Sequence, residues 1–304
     1  LDSNLLFAEN EVFETKKGYI ITLFLLVTVL VLVGIIFFSM RPQKIQGLSG
    51  VIVLSNPDFE RNNGKGLLVY DLLTENTRIV GNDKYRHIIS ANNNRKDVYT
   101  VMDRQHVIMD VDLDVFSSFN VLTNAPVGSV HFNKTSVQSG VSFIFNNELQ
   151  INTSKQILKS ITLPYTKNSI NKLAGYSWSI DGKTLLYSNS DSIYKYEIEK
   201  NQSEKLFKGK YPGFSPDNKY MFYSSDRNTF VVRSLETGTE WTYSGIHSYP
   251  QFSPDGKYVA FQIQSKKILA KGRDLIVWEY EAGKKQTIIQ DIVLDNSGQF
   301  IWIP

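Results

Sequence analysis

Two patterns of apolar residues divide the chain. Tyr19 to Met40, "YIITLFLLVTVLVLVGIIFFSM", is an unbroken apolar run without a charge. From Val51 onward the apolar residues come in short runs separated by Gly, Asn, Asp, Ser and Pro, the spacing of β-strands joined by tight turns. A helix rising about 1.5 Å per residue needs about 20 residues to cross a hydrocarbon core of about 30 Å. The first run therefore predicts one transmembrane helix from Tyr19 to Met40. Lys16 and Lys17 end the polar tail before it, and Arg41-Pro42 ends it, since Pro disfavours helix at the residue before it. The run is too long for a cleaved signal peptide and lacks a small-residue exit site. The organisation expected is a polar tail (1–18), a span (19–40), a linker (41–50) and a β domain (51–304).

Inside the β domain one stretch explains its own geometry. In "PQFSPDGKYVAF", Ser253-Pro254-Asp255-Gly256 has Ser and Pro at the first two positions of a β-turn, Asp next, and Gly where φ turns positive. Phe252 ends one strand and Tyr258-Val259-Ala260-Phe261 forms the next. The stretch recurs as "WSIDGKTLLYS" from Trp178, "GFSPDNKYMFYS" from Gly213 and "LDNSGQFIWI" from Leu294, with a fainter copy from Ile88. Gly182, Asn218, Gly256 and Gly298 mark the same turn at intervals of 36, 38 and 42 residues. Asn218 stands where Asn is the next best occupant of the left-handed region after Gly. Each unit then continues into a second hairpin, as at "LETG" and "YEAG". A period near 40 with four strands per unit predicts a β-propeller. The fold class expected is all-β, six blades with seven as the alternative, preceded by one transmembrane α-helix. "DIVLDNSGQFIWI" (Asp291 to Ile303) is only a third of a further unit, and is expected to pair with the segment from Val51 and close the ring.

Phe252 to Phe261, with its weaker copies, resembles the repeat of TolB-like, WD40-like bacterial propellers. The resemblance is good from Trp178 onward and poor before it. The same repeat occurs in the propellers of prolyl-oligopeptidase-type enzymes, so it implies architecture and not activity.

Composition narrows the function classes. The 254 residues from Val51 give ample core for one large β domain. A net charge of +3 does not suggest nucleic acid, which needs a concentrated basic surface. With no cysteine, disulfide frameworks, zinc-thiolate sites and cysteine nucleophiles are excluded. Two cations flank each side of the span, Lys16 and Lys17 against Arg41 and Lys44. The abutting lysine pair favours the N-terminus inside and the propeller on the extracytoplasmic side. "KKGYIITLF" also resembles a type IV prepilin junction, but Leu23 stands where the usual Glu would be, and Arg41-Pro42 argues against a helix that continues.

Candidate chemistry is sparse. None of His87, His106, His131 and His247 pairs with another at metal-ligand spacing, and there is no Gly-x-Ser-x-Gly elbow. "NNGKGLL" from Asn62 resembles a phosphate loop but lacks the Lys-Ser/Thr ending. Asp110, Asp112 and Asp114 alternate with apolar residues and would share one face of a strand as a weak metal site. A calcium loop would need Gly at Val115, so a solvated acidic strand is the plainer reading. Sequons at Asn133, Asn152 and Asn201 would matter only for a secreted eukaryotic domain. No cofactor is called for. The last unit carries extra residues within "QIQSKKILAKGRDL", between its second and third strands. Lys266, Lys267, Lys271 and Arg273 make this a candidate docking loop for an acidic partner or anionic lipid headgroups, where an ordinary solvated loop is the alternative.

The function expected is a non-enzymatic interaction or scaffold subunit of a cell-envelope complex, with protein partners and with the bilayer around residues 19–40. A propeller enzyme or enzyme accessory acting on glycans or peptides is the alternative, and a pilus-associated protein the second.

Overall fold

The computed structural model describes residues 23–32, 44–55, 66–81, 175–179, 181–267, 272–292 and 300–304, and the backbone of the strands between 85 and 162. The chain forms two compact units, Leu1–Lys44 and Ile45–Pro304. In the first, residues 23–32 form an α-helix (α1) inside the predicted span, and 19–22 and 33–40 lie outside the described residues. The large apolar side chains of α1 are exposed, and Thr28 donates its hydroxyl to the Phe24 carbonyl at 2.8 Å. Among the described residues no helix is long and apolar enough to cross a membrane.

The second unit is built of antiparallel strands, β1 (Val51–Ser55), β2 (Leu67–Asp71) and β3 (Thr77–Val80), then β4 (Tyr85–Ala91), β5 (Asp97–Met102), β6 (Gln105–Asp110) and β7 (Val115–Phe119). Next come β8 (Val130–Lys134), β9 (Ser139–Phe145), β10 (Glu148–Asn152) and β11 (Ile157–Thr162), then β12 (Tyr176–Trp178), β13 (Thr184–Asn189), β14 (Ser192–Glu197) and β15 (Gln202–Lys208). The series ends with β16 (Lys210–Phe214), β17 (Tyr220–Ser224), β18 (Thr229–Ser234) and β19 (Glu240–Ser244), then β20 (Ser248–Phe252), β21 (Val259–Gln264), β22 (Arg273–Glu279), β23 (Lys284–Ile292) and β24 (Phe300–Ile303). Among the described residues they make six four-stranded sheets, five of them consecutive in the chain and one ordered β24-β1-β2-β3.

The repeated turn accounts for the hairpins. In the sixth sheet the Ser253 hydroxyl donates to Asp255 Oδ1 at 2.6 Å and accepts from the Tyr258 N–H at 3.0 Å, while Gly256 N–H closes the turn on the Ser253 carbonyl. The same bonds recur around Ser215 and Asp217 and around Ser179 and Asp181. Gly182, Asn218 and Gly256 sit at φ +69°, +60° and +75°. The Ser179 hydroxyl, with the Lys183 N–H, holds the Asp181 carboxyl below its usual range. Gly298 lies outside the described residues, but the strand after it departs from the repeat. The strands that follow the other three markers are second in their sheets, whereas β24 is first. "DNSGQ" copies the letters of the turn without its place in the unit.

The ring-closing pairing is present, with Ile52 opposite Trp302 and Val51 opposite Ile303. All four β24 side chains are buried in one cluster with β1 and β2 and with Ala260, Leu275 and Val277 of the sixth sheet. The residues before β1 join them. Ile45 and Leu48 are buried, the Ile45 N–H donates to Gln286 Oε1 at 2.7 Å, and the Trp302 indole donates to the Ser49 carbonyl at 3.0 Å. An aromatic cluster of Phe222, Phe230, Phe252, Phe261 and Trp278 joins the fifth and sixth sheets. β4 lies against β24 and β1, β8 against β4, and β16 against β12 and β13. Outermost strands such as β15 and β19 are mostly exposed and middle strands such as β13 and β17 mostly buried, as expected when sheets stack face to face.

Candidate interaction surface

Antiparallel order gives the second unit two distinct rims. First-to-second and third-to-fourth turns lie at one, and second-to-third loops and the links between sheets lie at the other, here called the link rim. The residues singled out in the sequence fall at different places on this frame. Residues 265–272 join β21 to β22, so the basic insert is a second-to-third loop on the link rim. Lys271 lies outside the described residues. Asp110 is the last residue of β6 and pairs with Val115, the first of β7. Asp112 and Asp114 lie outside the described residues, as do Tyr19 and Met40. Among the described residues no group of three or more His, Asp or Glu could hold a metal ion.

The base of the basic loop is firmly fixed. Asp274, which is buried, accepts from the Asp291 N–H at 2.9 Å and stands 3.5 Å from the Lys266 N–H. Burial pushes its carboxyl up, but hydrogen bonds from the Asp291 and Lys266 amides and from Ser265, with the charge of Lys267, outweigh it and hold the carboxyl below its usual range. Asp291 turns back at φ +55° and takes the Gly272 N–H at 2.8 Å. Gly272 is obligatory here, since a Cβ would lie 2.5 Å from the Ile292 carbonyl. Arg273 donates to the Ser248 hydroxyl. The Lys266 and Lys267 ammoniums form no ion pair among the described residues. Around them the link rim of the last three sheets carries Lys208, Lys210, Arg227 and Arg273 against the exposed carboxylates of Asp191 and Asp226, and Lys210 pairs with Asp191 at 2.6 Å.

Sequence reasoning missed a pair of backbone irregularities on this rim. Tyr211 and Tyr249, at corresponding positions of β16 and β20, sit at φ +54° and +52°. The pairing register slips at both places, between Lys210 and Gly213 and between Ser248 and Gln251. Holding a bulky residue there costs about 1–3 kcal/mol. "KYPGF" and "SYPQF" were visible as a repeat, but Tyr before Pro does not announce a positive φ.

Just before β20 lies His247. Its Nε2 is 3.0 Å from the Ser224 hydroxyl and its Nδ1 3.0 Å from the Gly245 carbonyl, with the ring against Phe230 at 4.8 Å. Burial pushes its pKa below the ordinary value. It is a structural group tying the fifth sheet to the link that leaves it.

A solved structure shows the same fold. The structure of a putative TolB from Agrobacterium tumefaciens superposes with a TM-score of 0.53 at 12% identity, over 80% of this chain and 91% of that one. The fold is a β-propeller. A chain from the crystal structure of a mitotic checkpoint complex is more distant, with a TM-score of 0.46 at 11% identity, over 77% of this chain and 73% of that one. A scan against protein-family models finds no match, and a search of the curated proteins finds none either. At such identities the likeness speaks for the fold alone.

Proposed function

We propose that this propeller is six-bladed, is anchored in the cell membrane by residues 19–40 with the propeller on the extracytoplasmic side, and acts as a non-enzymatic interaction subunit of an envelope complex. The observation that carries the reading is the basic loop, whose base is held by Asp274 and Asp291, while the Lys266 and Lys267 ammoniums form no ion pair among the described residues. A fixed base limits the ordering entropy lost on docking. The protein-partner part of the reading is in keeping with the TolB-like fold. The anchor rests on the uncharged run of 22 residues and on the exposed apolar sides of α1, a surface suited to hydrocarbon.

Two measurements test it. Protease added to intact cells that make the protein should digest the propeller and spare the tail, and protection of the propeller would reverse the orientation. Changing Lys266, Lys267, Lys271 and Arg273 to Ser should leave folding intact and weaken co-purification of the partner in mild detergent, most at low salt and less as salt rises and screens the parent's charges. Unchanged recovery at low salt would reduce the loop to plain surface.

A further inference from the structure

The two tyrosines held in the left-handed region give the fold little in return. Tyr211 is 53% exposed and Tyr249 39% exposed, and neither hydroxyl has a hydrogen-bond partner among the described residues. Each is followed by a proline, Pro212 and Pro250, which narrows the backbone further. The fourth sheet solves the same problem differently, with Gly175 at φ +78° just before β12. Glycine adopts this conformation without steric cost. Two neighbouring sheets thus keep a large, exposed, strained aromatic where the sheet before them keeps glycine. Both lie near the start of the first strand, where the chain comes in from the link, so both stand at the inner edge of the link rim. Tyr211 also reaches across to the neighbouring sheet, its Cα 3.5 Å from where a Cβ on Gly175 would be. Ile246, 68% exposed, precedes Tyr249 on the same link.

The surroundings of these rings are cationic. Arg273 bonds to Ser248, the residue before Tyr249, and forms no ion pair among the described residues. Lys266 and Lys267 begin the loop that precedes Arg273. Of the nearby acids, Asp274 and Asp291 are occupied with the loop base, Asp191 pairs with Lys210, and Asp226 is exposed and close enough to His247 to act on its charge. We propose that the inner edge of the link rim is a docking site for an acidic peptide segment. Tyr211, Tyr249 and Ile246 take its apolar and aromatic side chains, and Arg273 with Lys266 and Lys267 takes its carboxylates. The proposal deepens the docking reading above and rests on it for the part played by the lysines.

The test uses the full chain in detergent and a displayed library of random dodecapeptides. Enriched peptides should carry a surplus of Asp and Glu beside aromatic residues, and a pool without that surplus overturns the proposal. The best enriched peptide is then titrated against three variants by fluorescence anisotropy. Tyr211→Gly with Tyr249→Gly should weaken binding at least tenfold, while the melting temperature holds or rises because the strain is relieved. Unchanged binding, or a fall in melting temperature that marks the rings as structural, overturns it. Arg273→Gln should weaken binding and flatten its salt dependence. Lys266→Ser with Lys267→Ser and Lys271→Ser separates the two readings. Loss with the lysine variant alone keeps the docking loop and sinks the tyrosine site, and loss with neither sinks both. Vesicles of phosphatidylglycerol and phosphatidylcholine are the last arm. Tyrosine-dependent vesicle binding without peptide enrichment would assign the surface to lipid headgroups and refute the peptide.

Discussion

Replacing Trp302 with Ala should unlock the ring. Trp302 is buried opposite Ile52, stacks on Tyr258 of the sixth sheet at 6.2 Å and donates its indole N–H to the Ser49 carbonyl. It thus joins the last strand of the propeller to its first and to the last sheet at once. Truncating a buried Trp costs about 3–5 kcal/mol, and the lost indole bond adds about 1 kcal/mol. Against a total stability of about 5–15 kcal/mol, this is a large fraction. For a domain of this size each kcal/mol moves the melting temperature by about 2–4 °C, so a fall of roughly 10–20 °C is expected. Circular dichroism on the full chain in detergent, with melting followed near 215 nm, reads it directly. The transition should stay single, because loss of the first sheet opens every neighbour in turn. Trp241→Ala, in an outermost strand and only partly buried, should shift the melt by less. A fall under about 3 °C for Trp302→Ala, or a melt that splits into two steps, would refute the idea that β24 fastens the whole ring.

Ser253→Ala removes the hydroxyl that accepts from the Tyr258 N–H and should lower stability by about 1–3 kcal/mol in thermal melts. Gly272→Ala forces a Cβ into the Ile292 carbonyl and should destabilise by more than about 2 kcal/mol, or prevent expression of folded protein. Glu75 sits at φ +58° in the third-to-fourth turn of the first sheet, so Glu75→Asn should raise stability by about 0.5 kcal/mol, seen as a small rise in melting temperature. His247, with its pKa lowered by burial, favours the neutral form in the fold, and the unfolded chain binds the extra proton. Its contribution is therefore full above about pH 6.5, the ordinary His value, and is lost as the pH falls toward the lowered folded pKa. His247→Gln should flatten the melting temperature between about pH 7 and 5, relative to the parent chain.

The turn network was legible because it is local. Ser, Asp and Gly or Asn within four positions make the same bonds at Ser179, Ser215 and Ser253 whatever surrounds them. The closure by β24 was legible too, since a lone strand with Phe300 and Trp302 needs a partner for its edge. The place of β24 in its sheet explains the error at Gly298. Four letters can copy a turn, but only long-range pairing decides whether the strand after it is first or second. The surface was legible in half. The lysines announced the loop, whereas the clamp of Asp274 and Asp291 depends on a bend at Asp291 and a register slip in β22 that no local pattern fixes. The left-handed tyrosines were hidden for the same reason, because their strain is set by how β16 and β20 pair.

The most direct test of the central claim is photo-crosslinking in living cells from single sites on the two rims. A benzoylphenylalanine in place of Lys267 or Tyr249 on the link rim is compared with one in place of Leu235 or Glu281 on the turn rim. A discrete protein adduct is expected from the link-rim sites, absent from the turn-rim sites and lost when Arg273 is changed to Gln. Adducts from the turn rim alone, or none from either rim, would contradict it.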